Sequence, residues 1–437
     1  MAKGYLQRKA SWEILLKVSS GIYSDKALER VLINYKFNQL DIAFITEISF
    51  GCIRYRKFLD LWIDHTSKLS HKKQPPKLRW LLHVGLYQLL KMDKIPYSAA
   101  ISTSVEVAKK TDLIGLSGVV NAVLRNASQK LKNNDSPNIP NNELDRISYL
   151  ESLPSWLVKE IIDWFGVSEA SNIAASFNKR PTIDLRINPL KAKVDEIVLA
   201  LKKENIEASE IKDLKNGIEL KTKSRSIKNL PGYEEGKWII QDRSSQWVAT
   251  LLDPQKGDKI LDACAAPGSK TTHLAEMIED KGEIWAFDRS EIRLKILNEN
   301  LNRLNIKSVK VHKEDSTNLI NLKPDLNFYF DKILIDAPCS GIGTFARNPD
   351  ARWSLNENKI DQLILLQEKL LNSIFPLLKK TGKLVYSTCT ICPRENNLLI
   401  KKFLKNNHNI NLVSEKQILP SKFNSGDGFY AAVMKYL

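Results

Sequence analysis

At 437 residues, with 43% hydrophobic and 27% charged residues, the chain has the composition of a soluble globular protein of two or three domains. It has no run of about 18 apolar residues, so no membrane span is expected, and the opening MAKGYLQRKASWEILLK lacks the apolar core and cleavage site of a secretion signal; a reducing cytoplasm is the expected compartment. The net charge of +16 is uneven: residues 1–140 hold 22 Lys+Arg against 11 Asp+Glu, an excess that favours a polyanion, nucleic acid foremost, over a purely solubilising surface.

Residues 1–132 read as all-helical. Ile45, Ile48, Cys52, Tyr55, Leu59 and Trp62 recur at three- and four-residue steps and predict one face of a long helix, with Asp41 near its N-terminus. Leu78, Leu81, Leu82, Gly85, Leu86 and Leu89 predict a second helix after Pro75 and Pro76. Val119, Val120, Val123 and Leu124 predict a late one flanked by Arg125, Lys130 and Lys132. The aromatic residues here fit a core, which leaves the basic residues as the candidates for phosphate contact. The stretch NNDSPNIPNNE, 133–143, is a polar linker. A small α+β unit follows, with a helix over 153–165, a strand over 182–188, a helix over 194–204 and short strands over 208–212 and 217–223. The expected division is 1–140, 145–233 and 234–437.

From about Glu234 strands and helices alternate, with strands expected at 259–263, 284–288, 308–312, 331–336 and 383–388 and helices at 270–280, 290–304 and 357–378. That order predicts a Rossmann-like α/β domain, a doubly wound, mostly parallel sheet with helices on both faces. Its first strand runs into KILDACAAPGSKTT, a strand, a tight loop holding Pro267 and Gly268, and a helix beginning near Lys270. Gly268 lets backbone approach a ligand or take positive φ. The stretch is not the spaced-glycine dinucleotide fingerprint, and alone it is equally an ordinary strand-to-helix turn.

Acidic residues recur at the carboxyl ends of these strands, where open α/β sheets bind ligands: Asp262, Asp288, Asp315 and Asp336. A single Asp there is most often a helix cap; four in matching positions are harder to explain so. An acid after the second strand can accept from a ribose diol, and no Walker-type loop is present. A nucleoside ligand without a phosphate fits this pattern, S-adenosylmethionine being the obvious candidate. Of the five cysteines, Cys52, Cys264, Cys339, Cys389 and Cys392, two share this layer: Cys339 after the fourth strand and Cys389 after the fifth. The odd number argues against a disulfide framework, and only Cys389 and Cys392 have a metal-like spacing, with no second pair, so no metal is expected. A lone buried cysteine is usually a small apolar residue; two on ligand-side loops point to thiol chemistry.

Taken together, DACAAPGSKT, AFDRSEIRL, KEDS, IDAPCSGIGT and YSTCTICPREN resemble, in order, the motifs of the RsmB-like (Sun) group of RNA cytosine-5 methyltransferases over about 200 residues. The N-terminal part resembles the NusB-like RNA-binding domain of bacterial RsmB proteins, VNAVLRN (Val120 to Asn126) being the closest piece, and the middle unit resembles the family's small RNA-binding extension by position. The resemblance implies that Cys264, Ala265, Ala266, Pro267, Gly268, Ser269 and Lys270 line the methionine side of S-adenosylmethionine, Asp288 the ribose and Asp315 the adenine region. It implies that Asp336 bonds the target cytosine, Cys389 is the nucleophile and Cys339 assists product release. It further implies small-subunit (16S) rRNA as substrate. A monomer is the default. Ser269 stands where the family commonly has Gly. Arg347 and Arg352 are candidates for phosphate contact, with a surface role as the alternative. Lys270 is a candidate for the methionine carboxylate or for a helix cap. Competing readings are a non-catalytic NusB-like assembly factor, a thiol oxidoreductase using Cys389 and Cys392, and cytosine methylation of tRNA or DNA, the last with Cys339 as nucleophile.

Overall fold

A computed structural model of the chain describes residues 4–221, 227–422 and 426–437. They form two compact units: residues 1–179 with 348–354, and 180–347 with 355–437.

Among the described residues of the first unit the regular elements are all helices. The face read from Ile45 to Trp62 is buried, with Ile45, Ile48, Cys52, Leu59 and Trp62 all in the core, but it belongs to two helices, Gln39–Arg54 and Arg56–Thr66. The chain turns at Tyr55 (φ −99°, ψ 19°), which leaves both helices facing the same core. Asn38 and Asp41 form a reciprocal capping box at the start of the first. Helix Pro76–Lys91 buries all six residues of its expected stripe. In helix Ser117–Lys132 the stripe is Val120, Val123 and Leu124; Val119 is exposed, one step outside it. Two further segments join this unit. Helices Glu143–Leu150 and Ser155–Ser176 are held to it where Ser152 Oγ accepts from Lys57 N (2.8 Å) and Ser155 Oγ from Lys57 Nζ (2.8 Å). The second helix runs well past the expected end at 165, interrupted at Gly166 (φ +79°). Residues 348–354 return from much later in the sequence; Trp353 Nε1 donates to Ile53 O at 2.7 Å.

The second unit holds two sheets. The smaller is antiparallel, order β2-β3-β1-β4, from β1 (Ile183–Ile187), β2 (Ala208–Glu210), β3 (Gly217–Leu220) and β4 (Trp238–Ile240). The end of the strand expected over 217–223 lies outside the described residues beyond 221. The larger sheet has order β10-β11-β9-β8-β5-β6-β7, from β5 (Lys259–Asp262), β6 (Glu283–Phe287), β7 (Val309–His312), β8 (Phe330–Asp336), β9 (Leu378–Thr388), β10 (Ile410–Ile418) and β11 (Phe429–Tyr436). β5 to β9 are parallel to one another, and the final hairpin adds two antiparallel strands at one edge. Alternate residues of the central strands enter two cores: Leu261, Ile333, Ile335 and Tyr386 on one face, Ile260, Leu334 and Val385 on the other. Burial on both faces is why these strands read as continuous apolar runs. Among the described residues no helix is long and apolar enough to cross a membrane.

Candidate functional site

The crossover from β5 to helix Ser269–Met277 begins the site. Gly268 has φ +105°, and a Cβ there would lie 2.4 Å from Leu297 Cδ1, so the loop needs glycine for both conformation and space. The helix behind it is tied to the small sheet through Arg186 of β1, which donates to Ser269 O (2.6 Å), Thr272 Oγ1 (2.9 Å) and both Glu276 carboxylate oxygens (2.8 Å each).

At the carboxyl ends of the strands a pocket of about 280 Å³ is lined by Cys264, Asp288, Asp315, Asp336, Cys339 and Cys389, with Leu366 and Leu370 on its apolar side. Six residues expected at the site from widely separated motifs are thus brought together. The rest of the first loop is not: Ala265 and Ala266 are buried in the core, Pro267 is exposed, and Gly268, Ser269 and Lys270 do not line the pocket. Asp262 is fully buried behind it, accepting from Thr271 Oγ1 at 2.8 Å; burial above all pushes its carboxyl up to about 7. Asp288 accepts from Ser290 N (2.8 Å) and Ala266 N (3.3 Å) and pairs with Arg293 at 3.3 Å. Asp315 is exposed, and although partial burial opposes it, bonds from Thr317 N and Oγ1 hold its carboxyl below the usual range.

β8 and β9 run side by side with Asp336 opposite Ser387. Cys339 and Cys389 therefore leave neighbouring strand ends, and their Sγ atoms lie 3.3 Å apart. The contact with Cys389, then burial, then the charges of Cys389 and Glu395 push the Cys339 thiol well up. Asp336 accepts from Ser387 Oγ (3.0 Å) at one oxygen and from Lys270 Nζ (2.7 Å) at the other. Lys270 Nζ is therefore engaged as the counter-ion of Asp336.

Sequence reasoning missed the support behind the thiols. Glu395, fully buried, accepts from Ser340 N (2.8 Å) and Gln367 Nε2 (3.0 Å), and Ser340 Oγ bonds both Glu395 and, at 2.7 Å, Thr390 Oγ1. One carboxyl thus clamps the residue after Cys339 to the residue after Cys389, and burial pushes it up. Glu395 lies within the quoted motif YSTCTICPREN, so its chemistry was visible and its partners were not. Cys392 is fully buried, its thiol pushed up to about 12 by burial and by Glu395, and it does not line the pocket.

Arg347 and Arg352 correct the expectation of phosphate contact or surface exposure. Arg347 is held by two carboxylates, Asp427 (2.7 Å) and Asp242 (2.6 Å), and by Thr182 O (2.8 Å). Arg352 is fully buried in the first unit, donating to Phe177 O and Asn178 Oδ1 at 3.0 Å each, where it satisfies carbonyls at the end of helix Ser155–Ser176. Among the described residues no cluster of His, Cys, Asp and Glu could hold a metal.

Three family matches cover the chain: the NusB family over residues 6–129, the ferredoxin-like domain of RsmF/B-like methyltransferases over 153–226, and the 16S rRNA methyltransferase RsmB/F family over 249–435. The probable ribosomal RNA small subunit methyltransferase B of Synechocystis sp. is 41% identical, the alignment covering 88% of this chain and 85% of that protein. The ribosomal RNA small subunit methyltransferase B of Proteus mirabilis is 36% identical over 90% of each chain. Among solved structures, PH0851 superposes with a TM-score of 0.84 at 27% identity, covering 100% of this chain and 99% of that one.

Proposed function

The chain belongs to the RsmB/F family of 16S rRNA methyltransferases, and from that premise we propose that it methylates C5 of an unpaired cytosine in small-subunit rRNA through a covalent adduct of Cys389. The observation that carries the reading is the pair of sulfur atoms 3.3 Å apart in a pocket edged by Asp288, Asp315 and Asp336. The three-part division at 1–140, 145–233 and 234–437, and a cytoplasmic location, belong to the same proposal.

The residues suit S-adenosylmethionine. Carboxylates at Asp288 and Asp315 are acceptors for a ribose diol and an adenine amine, and an acid-rich pocket with an apolar side favours a sulfonium cation. When bound, that cofactor supplies an electrophilic methyl group. The chain supplies the rest. Cytosine C5 is a poor nucleophile until addition at C6 makes it an enamine carbon. The Cys389 thiolate forms a bond to C6; the electron pair of the C5=C6 bond moves to C5 and into the ring, and the charge reaching N3 is met by the Asp336–Lys270 pair, which holds a proton between Oδ2 and Nζ. Cys339, whose thiol is pushed up, holds its proton toward the Cys389 sulfur and so favours the attacking thiolate. As the Cys389 sulfur is drawn into its bond to C6, Cys339 gives up its own proton to solvent, and once C5 carries the methyl the Cys339 thiolate takes the C5 proton. The freed pair restores C5=C6 and the Cys389–C6 bond breaks. A base inside a helix cannot reach strand-end loops, so the target must be unstacked.

The test uses RNA containing 5-fluorocytosine, in which the C5 position has no proton to lose. With labelled S-adenosylmethionine the full-length protein should form a denaturation-resistant adduct. Cys389→Ala should abolish it, and Cys339→Ala should accumulate an adduct on ordinary RNA. Methylation by the Cys389→Ala protein would overturn the assignment.

A further inference from the structure

We infer that a cavity in the helical unit, which shares no lining residue with the thiol pocket, is a subsite for one unpaired nucleotide of the RNA strand, with Arg56 and Lys72 taking the phosphate and Tyr23 the base. The inference rests on RNA being the substrate, as proposed above. The cavity measures about 470 Å³, within the roughly 300–1,000 Å³ of small-ligand sites. It is built from three stretches of the first unit, around residues 18–23, 53–80 and 350–354.

Its charge is net positive once the internal ion pairs are removed, two cations against one carboxylate. Arg79 is spent on Asp60, donating from Nε at 2.6 Å, and His71 on Asp64 at 2.7 Å. The one carboxylate in the lining, Asp350, accepts from Ser24 Oγ at 2.7 Å and Ser24 N at 3.3 Å. Arg56 and Lys72 remain. Lys72 is exposed. Arg56 is half-buried with its guanidinium over the indoles of Trp80 (5.4 Å) and Trp353 (5.3 Å), and among the described residues neither cation has a carboxylate in an ion pair. A half-buried guanidinium set over two indole rings and outside any ion pair among the described residues is a fork available to a phosphate. The Tyr23 ring, 69% exposed at the rim, offers a base a stacking face. An aromatic platform beside two cations outside any ion pair suits single-stranded RNA better than duplex, whose bases are already stacked.

The test measures binding of a fluorescein-labelled unstructured 12-nucleotide RNA carrying 4-thiouridine to the full-length protein, by anisotropy and by photocrosslinking with peptide mapping. Crosslinks should fall in the stretches around 18–23 or 350–354. Tyr23→Ala should weaken binding about tenfold. Lys72→Glu should lower the slope of log affinity against log salt by about 1. Arg56→Ala should do both, and the two exposed-site variants keep the test valid if Arg56→Ala perturbs packing. With rRNA, the exposed-site variants should raise KM and keep kcat. Wild-type affinity in all three variants, or crosslinks only elsewhere, overturns the inference while leaving rRNA methylation standing. Crosslinks at the pocket without methyl transfer to rRNA overturn the earlier reading instead. Displacement of the RNA by equal concentrations of CMP or inorganic phosphate would reassign the site to a free nucleotide or anion, and displacement by poly-glutamate to an acidic peptide; each overturns the proposal.

Discussion

Replacing Arg186 with Met isolates the buried charge that ties the small sheet to the helix behind the first loop. Arg186 and Glu276 are 1% and 2% exposed, and the guanidinium donates to Glu276, Thr272, Ser269 O and Gln241. Methionine fills most of the volume and makes none of these bonds. Glu276, which burial already pushes up, loses its counter-charge. Removing one partner of such a pair costs about 3–5 kcal/mol. For a unit of this size that corresponds to a fall of roughly 6–20 °C in Tm, at about 2–4 °C per kcal/mol. The double variant Arg186→Met, Glu276→Leu should recover most of the loss, because no charge is then left stranded. The loss in the single variant should also be smaller at pH 5 than at pH 8. A carboxyl whose folded-state pKa lies above its unfolded value is stabilising while protonated and becomes a burden as pH rises through that value. Thermal unfolding of the full-length protein at both pH values, followed by circular dichroism, checks all three. An Arg186→Met protein within 1 kcal/mol of wild type, or a double variant no better than the single, would show that the pair is not what anchors the helix.

Glu395→Gln exchanges one acceptor oxygen for an amide that faces existing donors, a cost of about 1–3 kcal/mol, and loosens the clamp between the two cysteine loops; kcat should fall about tenfold with cofactor affinity unchanged, and an unchanged kcat in single-turnover methyl transfer would refute the clamp. Asp262 has its carboxyl raised to about 7 against an unfolded value of 3.8. It therefore favours the folded state while protonated, and that contribution is lost as pH climbs through the interval between those values. Asp262→Asn, permanently neutral, should be more stable than wild type at pH 8.5 by a few kcal/mol and close to it at pH 4; an equal difference at both, read from guanidinium midpoints, would sink the argument.

The central sheet was legible because burial on both faces leaves uninterrupted apolar runs. The expected strand at 259–263 is Lys259–Asp262, and that at 331–336 is Phe330–Asp336. The closing hairpin was not, because most of Ile410–Ile418 is exposed or half-buried and its sequence is largely polar. Helical periodicity found the Ile45–Trp62 face and could not find the turn at Tyr55, since two helices packed on one core keep a common stripe across a short break. Charge was the least legible property. Arg347 and Arg352 look like phosphate ligands in sequence, yet their partners, Asp427 and the carbonyl end of helix Ser155–Ser176, lie 80 and 175 residues away. The same separation hid Glu395 behind Ser340, 55 residues apart. Side-chain type announces what chemistry is possible; only chain topology decides whether it is already consumed.

That distinction bears directly on Asp336. An aspartate at a strand end is, on sequence alone, an acceptor awaiting a ligand, yet one of its oxygens accepts from Ser387 and the other from Lys270. A lone ionised carboxylate could not offer a proton to a cytosine N3, and a lone neutral one would have to be kept protonated against water. Paired with a buried ammonium, it has a donor proton at its rim, because Lys270 Nζ lies 2.7 Å from Oδ2 and its N–H can follow the charge as it develops on the ring. On the proposed mechanism Lys270 therefore belongs with the base rather than with the cofactor, and its conversion to Met should depress the rate of adduct formation more than the affinity for S-adenosylmethionine. An equal loss in both would return Lys270 to the methionine side and leave Asp336 to act without it.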